Sequence, residues 1–309
     1  MKLNAFFLFT VFAIASCELV VDVDTPDFES SIVLNATLQP DSTILVGLSS
    51  DKYVLDDAPF RGLRGAQVTL FENGQEVGRL TELALDGGPE GFYSSDFMPT
   101  PGQEYRMEVV ADGYTSVTAL ETIPQGVPEF NVDVVSFVEN EYAAAILNLQ
   151  LELDDEPGND YYQIAARVEY LQKYPIFDPD TGEQLRDTIF LVNQAFSLDS
   201  EDLVFEEHTA NLLLFDDKLF DGRSYTLDLE GYSYFLDTQS EEFDQEAKLT
   251  IEVRKVSEAY YQYVNTSSLQ NWISGDLVSE PVQIFTNVEN GRGVLGSFIS
   301  DAVEFELGQ

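Results

Sequence analysis

The chain of 309 residues contains one cysteine and one histidine, and both shortages restrict its chemistry. A single cysteine leaves no partner for an intrachain disulfide, so burial of apolar side chains must hold the fold together. The one histidine, His208, lies in the segment Glu206-Glu207-His208-Thr209, and a lone histidine between strands is usually a surface residue and not a catalytic base. We therefore predict no catalytic residue, no metal and no cofactor.

Basic residues are also scarce. Against 15 Lys and Arg there are 56 Asp and Glu, which gives a formal net charge of -41. Such a surface repels phosphate groups, and nucleic-acid-binding proteins carry basic patches, so nucleic acid is excluded as a partner. The same charge repels anionic lipid head groups, so we expect the folded body to stand clear of the membrane surface.

The common catalytic motifs are missing as well. The sequence has no Gly-x-Ser-x-Gly nucleophile elbow, no zinc-protease helix and no phosphate-binding loop. Glycoside hydrolysis needs only two carboxyl groups at a suitable separation, so a carboxylate-based glycan hydrolase stays open as an alternative. The sequence as a whole favours a protein that is not an enzyme.

The N-terminus has the order of a secretory signal. Lys2 is followed by an apolar run from Leu3 to Ala15 and then by a small residue. This run is shorter than the roughly 20 apolar residues of a membrane-spanning helix. The tetrad Ile14-Ala15-Ser16-Cys17 is typical of a bacterial lipoprotein, which predicts removal of residues 1–16 and acylation of Cys17. Several acyl chains on Cys17 would form a durable anchor in the membrane.

The next part of the chain predicts a tether and then a first β domain. Residues 17–30 are acidic and offer little that packs, so we interpret them as a tether. From Ser31 onward, short alternating segments are separated by turn residues, and residues 66–72 (AQVTLFE) end at Asn73-Gly74, a strong hairpin signal. Strands at this spacing predict an immunoglobulin-like β-sandwich over residues 31–124.

A second domain is predicted for residues 129–309. Two prolines and a glycine within residues 123–128 mark the boundary. Residues 147–153 alternate leucine with polar residues, as a half-buried antiparallel strand requires. One helix is expected near 257–273, with Ser257 as its N-cap. The fold class predicted from these patterns is all-β: an immunoglobulin-like sandwich followed by an antiparallel β-rich domain with one helix.

Two sets of residues are candidates for a partner or ligand surface. The first is aromatic and could form a platform for a sugar or a protein interface, although core packing is the simpler interpretation; it comprises Tyr232, Tyr234, Tyr260, Tyr261 and Tyr263. The second set is Asn287, Gly291 and Gly293, where the backbone of an exposed loop could receive a ligand. Close packing of the glycines against a neighbouring strand is the simpler interpretation of this second set.

Two acidic segments, residues 154–160 and 178–183, offer the hard oxygen ligands that calcium prefers. Neither has the residue spacing of an EF-hand loop. We interpret both segments as solvated hairpin turns, and Asp178 and Asp180 stay the calcium candidates.

Many of these segments together resemble a known family. The chain is similar to Bacteroidota outer-membrane lipoproteins of unknown function (domain of unknown function 4249), whose genes usually lie beside those of TonB-dependent transporters. The resemblance covers nearly the whole chain, from Cys17 through residues 65–70, 91–93, 101–105, 159–162, 215–225, 257–263 and 281–288 to Gly291, Gly293 and Gly296. The N-terminal part also resembles a carboxypeptidase-regulatory-like, immunoglobulin-like sandwich.

The resemblance implies a lipid-anchored outer-membrane protein that assists a TonB-dependent transporter in nutrient capture or uptake. Acidic residues directly after Cys17 resemble the export signal of surface lipoproteins, which implies that the protein faces the cell exterior. A structural subunit of a larger outer-membrane assembly, with no ligand of its own, is the alternative from another class. A ligand that raises the melting temperature would separate the two, because binding to the folded state stabilises it.

Overall fold

The computed structural model describes residues 28–53, 56–84, 88, 90–139, 145–233, 243–275 and 279–307. Within these ranges the chain forms 17 β-strands, one short 3₁₀-helix and one α-helix. The predicted all-β class with a single α-helix is therefore confirmed. Cys17 and Tyr234 lie outside the described residues, as does the predicted signal segment.

Seven strands follow one another in the first part of the chain: β1 (Ile32–Leu38), β2 (Ile44–Ser50), β3 (Gln67–Glu72), β4 (Gln75–Glu82), β5 (Phe92–Ser95), β6 (Glu104–Val110) and β7 (Val117–Thr122). They pair antiparallel in the order β1-β2-β5-β4-β3-β6-β7. The predicted hairpin between β3 and β4 is present, and Asn73 and Gly74 have φ angles of 47° and 79°. Positive φ at both turn residues matches the twist of the flanking strands.

The inward side chains of these strands pack into a single core, because alternate residues of a strand point to opposite faces. Tyr93 lies in this core with 1% of its surface exposed. Its hydroxyl accepts a hydrogen bond from the Ala66 amide and donates one to the Leu63 carbonyl, both at 2.9 Å. Two residues from much later in the chain, Val288 and Leu295, are part of the same core.

The second part of the chain contains β8 (Glu129–Glu139), β9 (Ala145–Asp154), β10 (Tyr161–Phe177), β11 (Gln184–Ala195), β12 (Leu198–Asp199), the 3₁₀-helix (Ala210–Leu212), β13 (Leu214–Asp216), β14 (Ser224–Ser233), β15 (Phe243–Val256), α1 (Glu258–Ile273), β16 (Val288–Glu289) and β17 (Arg292–Leu307). One sheet has the order β12-β14-β9-β8, and β11-β10-β15-β17 belong to a second. The apolar faces of the two sheets enclose a second core.

The predicted alternation in β9 is confirmed. Its four leucines, Leu147, Leu149, Leu151 and Leu153, are each at most 1% exposed and lie in the second core. The polar residues between them face outward, as a strand with one solvated face requires.

Strand β17 is shared by both halves of the fold. Its first residues pair in parallel with β1, from Arg292 opposite Val33 to Ser297 opposite Leu38. From Phe298 onward it pairs antiparallel with β15. A single 13-stranded sheet therefore runs from β11 through β17 into the strands of the first core.

The helix begins where the sequence predicted. Ser257 is the N-cap, and its hydroxyl accepts a hydrogen bond from the Tyr260 amide. Such a cap satisfies one of the free amide groups in the first turn of a helix. The helix packs against β17, with Tyr261 and Phe298 in a small cluster of buried residues. In the part of the chain that the structure describes, no helix is both long and apolar enough to cross a membrane.

Candidate functional site

A groove of about 700 Å³ lies between the outward face of the first strands and helix α1. Ligand pockets of this size, mostly apolar and with a few polar groups, are typical of small-molecule sites. The apolar walls are Leu45, Phe60, Phe92, Tyr260, Tyr263, Val264 and Val294. Polar groups along the groove include Asn35, Thr37, Ser49, Arg61 and Glu90.

Strand alternation determines which residues form the floor of the groove. In β1, the residues that alternate with the core positions are Asn35 and Thr37, and both point outward. In β2, the outward residue is Leu45, which is 50% exposed although it is apolar. An exposed leucine between core positions gives this face an apolar patch, which Phe92 of β5 extends.

The helix forms one wall of the groove because a glycine lets it approach β17 closely. A Cβ atom on Gly296 would lie 3.0 Å from the Cβ atom of Tyr260. The N-cap also binds the strand directly, since the Ser257 hydroxyl accepts the Ser297 amide at 3.1 Å and the Ser257 amide donates to the Ser297 carbonyl at 2.8 Å. The positions of Tyr260 and Tyr263 beside the groove follow from this contact.

The predicted tyrosines separate into different environments. Tyr260 and Tyr263 line the groove. Tyr261 is 6% exposed and stacks on Tyr161, with 4.5 Å between ring centroids. Tyr232 lies on β14, is 46% exposed, and donates its hydroxyl hydrogen bond to Glu230. Two of the three helix tyrosines therefore line the candidate site and the third packs in the interior, whereas Tyr232 does not line the groove.

A buried carboxyl group lies where β7, β17 and the start of the helix meet. Glu121 is 6% exposed and accepts hydrogen bonds from the Thr122 amide at 2.9 Å and the Ser297 hydroxyl at 3.1 Å. Burial raises the pKa of this carboxyl from 4.5 to about 7, although the hydroxyl groups of Ser297 and Ser257 and the Thr122 amide act to lower it. The loss of hydration, which raises the pKa, therefore outweighs the three hydrogen bonds, which lower it.

Asn287 and the two predicted glycines lie in the contact between β17 and the first core. The Asn287 amide donates to the carbonyls of Leu120 and Leu295 at 3.1 and 2.8 Å, and its oxygen accepts the Leu295 amide at 3.0 Å. A Cβ atom on Gly291 would lie 2.6 Å from the Ile32 carbonyl oxygen. Gly293 has a φ of 96°, and a Cβ atom there would lie 2.1 Å from the Leu34 oxygen. These three residues join strands and do not line the groove.

The structure brings together three acidic side chains whose proximity was not predicted from the sequence. Carboxylate oxygens of Asp155, Asp217 and Asp221 lie within 4.8 Å of one another, an arrangement that could hold a metal ion. Each carboxylate already accepts a backbone amide, from Gly222, Asp160 and Gly158 respectively. Asp217 is 2% exposed, and burial raises its pKa. The group fastens the loop after β9 to the loop after β13.

The calcium candidates lie in the turn between β10 and β11. The Asp178 carboxylate accepts the amides of Asp180 and Thr181 at 2.8 and 3.0 Å, and these bonds lower its pKa. Asp180 contributes its backbone amide to this turn. The geometry is that of an aspartate-stabilised turn, the interpretation given to this segment from the sequence.

Several residues of the groove carry no signal in the sequence that would assign them to a site. Phe60 and Arg61 lie in the connection between β2 and β3 and Phe92 begins β5, so only the fold brings them to the same face as Tyr263. Leu45 did carry a signal, because it is an apolar residue at an outward position of an alternating strand. An apolar residue at such a position indicates a covered or functional face.

A family model described as "Domain of unknown function (DUF4249)" matches residues 18–303. No curated protein matches the chain. Among solved structures, a chain described as "Biofilm associated protein - B domain" is similar at 7% identity, with a TM-score of 0.16, and the alignment covers 88% of this chain and 85% of that one. Because the family match takes in most of the chain, this protein belongs to the family described as a domain of unknown function, DUF4249.

Proposed function

We propose that this protein is a lipid-anchored protein of the outer membrane, facing the cell exterior, that binds a small nutrient in the groove and assists a TonB-dependent transporter in its uptake. The observation that carries the binding role is the groove beside α1, whose apolar and aromatic surface also carries polar side chains such as Asn35 and Thr37. The processing site at Cys17 supports the anchor, and the resemblance to transporter-associated lipoproteins supports the partner.

The groove suits a ligand with one apolar or ring face and a few polar groups. Tyr263 and Phe92 offer aromatic faces on which a sugar ring or an apolar side chain can pack. Asn35 and Thr37 present hydrogen-bonding groups from the floor, and Arg61 places a positive charge at the groove of a strongly acidic protein. Short oligosaccharides and short peptides both have this chemistry.

The binding role is tested by measuring the melting temperature of the full chain against a panel of oligosaccharides and short peptides. A ligand that binds only the folded state at 100 times its Kd stabilises it by about 2.7 kcal/mol. We expect Tyr263→Ala to abolish the shift and Tyr232→Ala, which changes an exposed tyrosine elsewhere, to retain it. The absence of any shift across the panel, or equal loss in both variants, would refute binding in the groove.

The transporter role needs a separate experiment. The native lipidated protein is purified from its own outer membrane in mild detergent, and companion proteins are identified by mass spectrometry. A stoichiometric TonB-dependent barrel is the expected result. A barrel without any ligand response would indicate a structural subunit, and a panel glycan that is cleaved would indicate a hydrolase.

A further inference from the structure

The hairpin of β10 and β11 exposes an unusual amount of apolar surface. Among the described residues, β11 pairs with β10 on one side and ends the 13-stranded sheet on the other. Six large apolar side chains of this hairpin are at least 46% exposed: Tyr174, Phe177, Leu185, Ile189, Phe190 and Leu191. The last three lie on consecutive positions of β11, so both faces of this strand are apolar and open.

An open strand edge normally carries features that prevent pairing with another chain. Natural edge strands are short, bulged, or contain charged residues and proline. Strand β8, the edge of the other sheet, has a bulge near Val134 and carries Glu129 and Asp133. From Arg186 to Gln194, β11 has a regular ladder with β10 and no proline, glycine or lysine. This segment, the β11 edge, therefore has no bulge, and its seven residues from Thr188 to Gln194 carry no charge.

Charge distinguishes the β11 edge from most of the chain. Its charged residues are Arg186 and Asp187, which give no net charge, in a chain whose net charge is -41. At physiological ionic strength, charges more than about 8 Å away are largely screened. Two acidic molecules can therefore meet at this edge without like charges in contact.

The sequence of the β11 edge is complementary to itself. Two copies paired antiparallel about a two-fold axis at Phe190 keep each face of the sheet continuous and place no like charges opposite each other. The resulting pairs are Phe190 with Phe190, Ile189 with Leu191, Thr188 with Val192, Asp187 with Asn193 and Arg186 with Gln194. Aromatic and β-branched pairs directly opposite one another stabilise a sheet. Such a symmetric contact closes after two molecules.

We infer that the β11 edge pairs with the same strand of a second copy of this chain, so that one sheet runs through both molecules of a dimer. The partner is a second copy because the open segment matches itself in register and in charge. This inference goes beyond the proposed function and does not depend on it.

The first test is sedimentation velocity of the full chain in detergent over a wide concentration range. We expect a monomer–dimer equilibrium for the natural chain. Phe190→Lys places two like charges opposite each other on the axis and should raise the dimer Kd roughly tenfold or more. Leu203→Lys changes an 88% exposed leucine outside the hairpin by the same charge and should leave the equilibrium unchanged.

The second test fixes the register by crosslinking. Residues directly opposite in a ladder have Cα atoms about 4.5–5.5 Å apart, within reach of a disulfide. Phe190→Cys should therefore give a disulfide-linked dimer under mild oxidation. In Thr188→Cys the two new thiols are offset by four residues, about 13 Å at about 3.3 Å per residue, and should not crosslink. Both variants retain Cys17, so any crosslink through that cysteine is common to the two and cancels in the comparison.

Three results would overturn the inference. A natural chain that is monomeric at all concentrations, with no crosslink in Phe190→Cys, excludes the dimer. A dimer that survives Phe190→Lys has its interface elsewhere. The third result comes from hydrogen exchange. If the amides of the β11 edge exchange slowly with solvent only after a different protein is added, the edge forms an interface with that protein and not with a second copy.

Discussion

Replacing Glu121 with glutamine should make the stability of this protein less dependent on pH. The carboxyl is 6% exposed, and burial raises its pKa from 4.5 to about 7. Between these two values the folded protein holds a proton that the unfolded chain has released. The contribution of Glu121 to stability is therefore fully present below pH 4.5 and is lost as the pH rises through 7.

The structure gives the size of this effect. A rise of the pKa from 4.5 to about 7 corresponds to about 3 kcal/mol of unfolding free energy, at about 1.36 kcal/mol per pKa unit. Glutamine has nearly the same shape and no charge, and its carbonyl oxygen can accept the bonds from Thr122 and Ser297. The variant should therefore gain stability relative to the natural chain by about 3 kcal/mol between pH 4.5 and pH 8.

The assay is urea unfolding of both proteins at half-unit steps from pH 4.5 to pH 8. The difference between the two free energies of unfolding is the quantity of interest, because it cancels the titration of all other carboxyl groups. Glu289→Gln, an exposed glutamate on β16, is the control and should give a flat difference. A difference for Glu121→Gln that is also flat, to within about 0.5 kcal/mol, would refute the reasoning.

Three further changes test the packing, each by urea unfolding. Gly293→Ala should cost about 3 kcal/mol or more, since φ is 96° and the new methyl group meets a carbonyl oxygen, whereas Gly78→Ala, with open space around it, should cost nothing measurable. Asn287→Ala should cost about 1–3 kcal/mol, because the buried amide and carbonyl of Leu295 lose their partner. Leu151→Ala should cost about 2–5 kcal/mol, since this leucine is fully buried, and a cost below about 1 kcal/mol would contradict its place in the core.

Local patterns in the sequence were sufficient for the elements that local physics determines. The four leucines of β9 are buried because a period of two fits only a strand with one covered face. Ser257 caps the helix because its short hydroxyl reaches the amide of Tyr260. Asn73-Gly74 forms the hairpin because both residues tolerate positive φ. In each case the residues that determine the element lie within a few positions of it in the sequence.

Contacts between distant segments gave no such signal. The pairing of β1 with β17 depends on burial of both strands in a common sheet, and nothing near Leu34 indicates Gly293 as its neighbour. Strand β11 was missed because apolar residues follow one another on both faces, which removes the alternation. The groove combines Leu45 and Tyr263 from elements far apart in sequence, so its existence follows only from the assembled fold.

The place of β17 in both halves of the fold determines the order in which the chain can fold. Strand β1 finds its second neighbour only when the segment beginning at Arg292 has been synthesised. Contacts between such distant segments form slowly, because the long intervening loop must close first. Until then β1 has one unpaired edge, and an unpaired strand edge favours aggregation of the incomplete chain. A shortened chain that ends before β17 leaves β1 without this neighbour and should therefore aggregate more readily than the full chain.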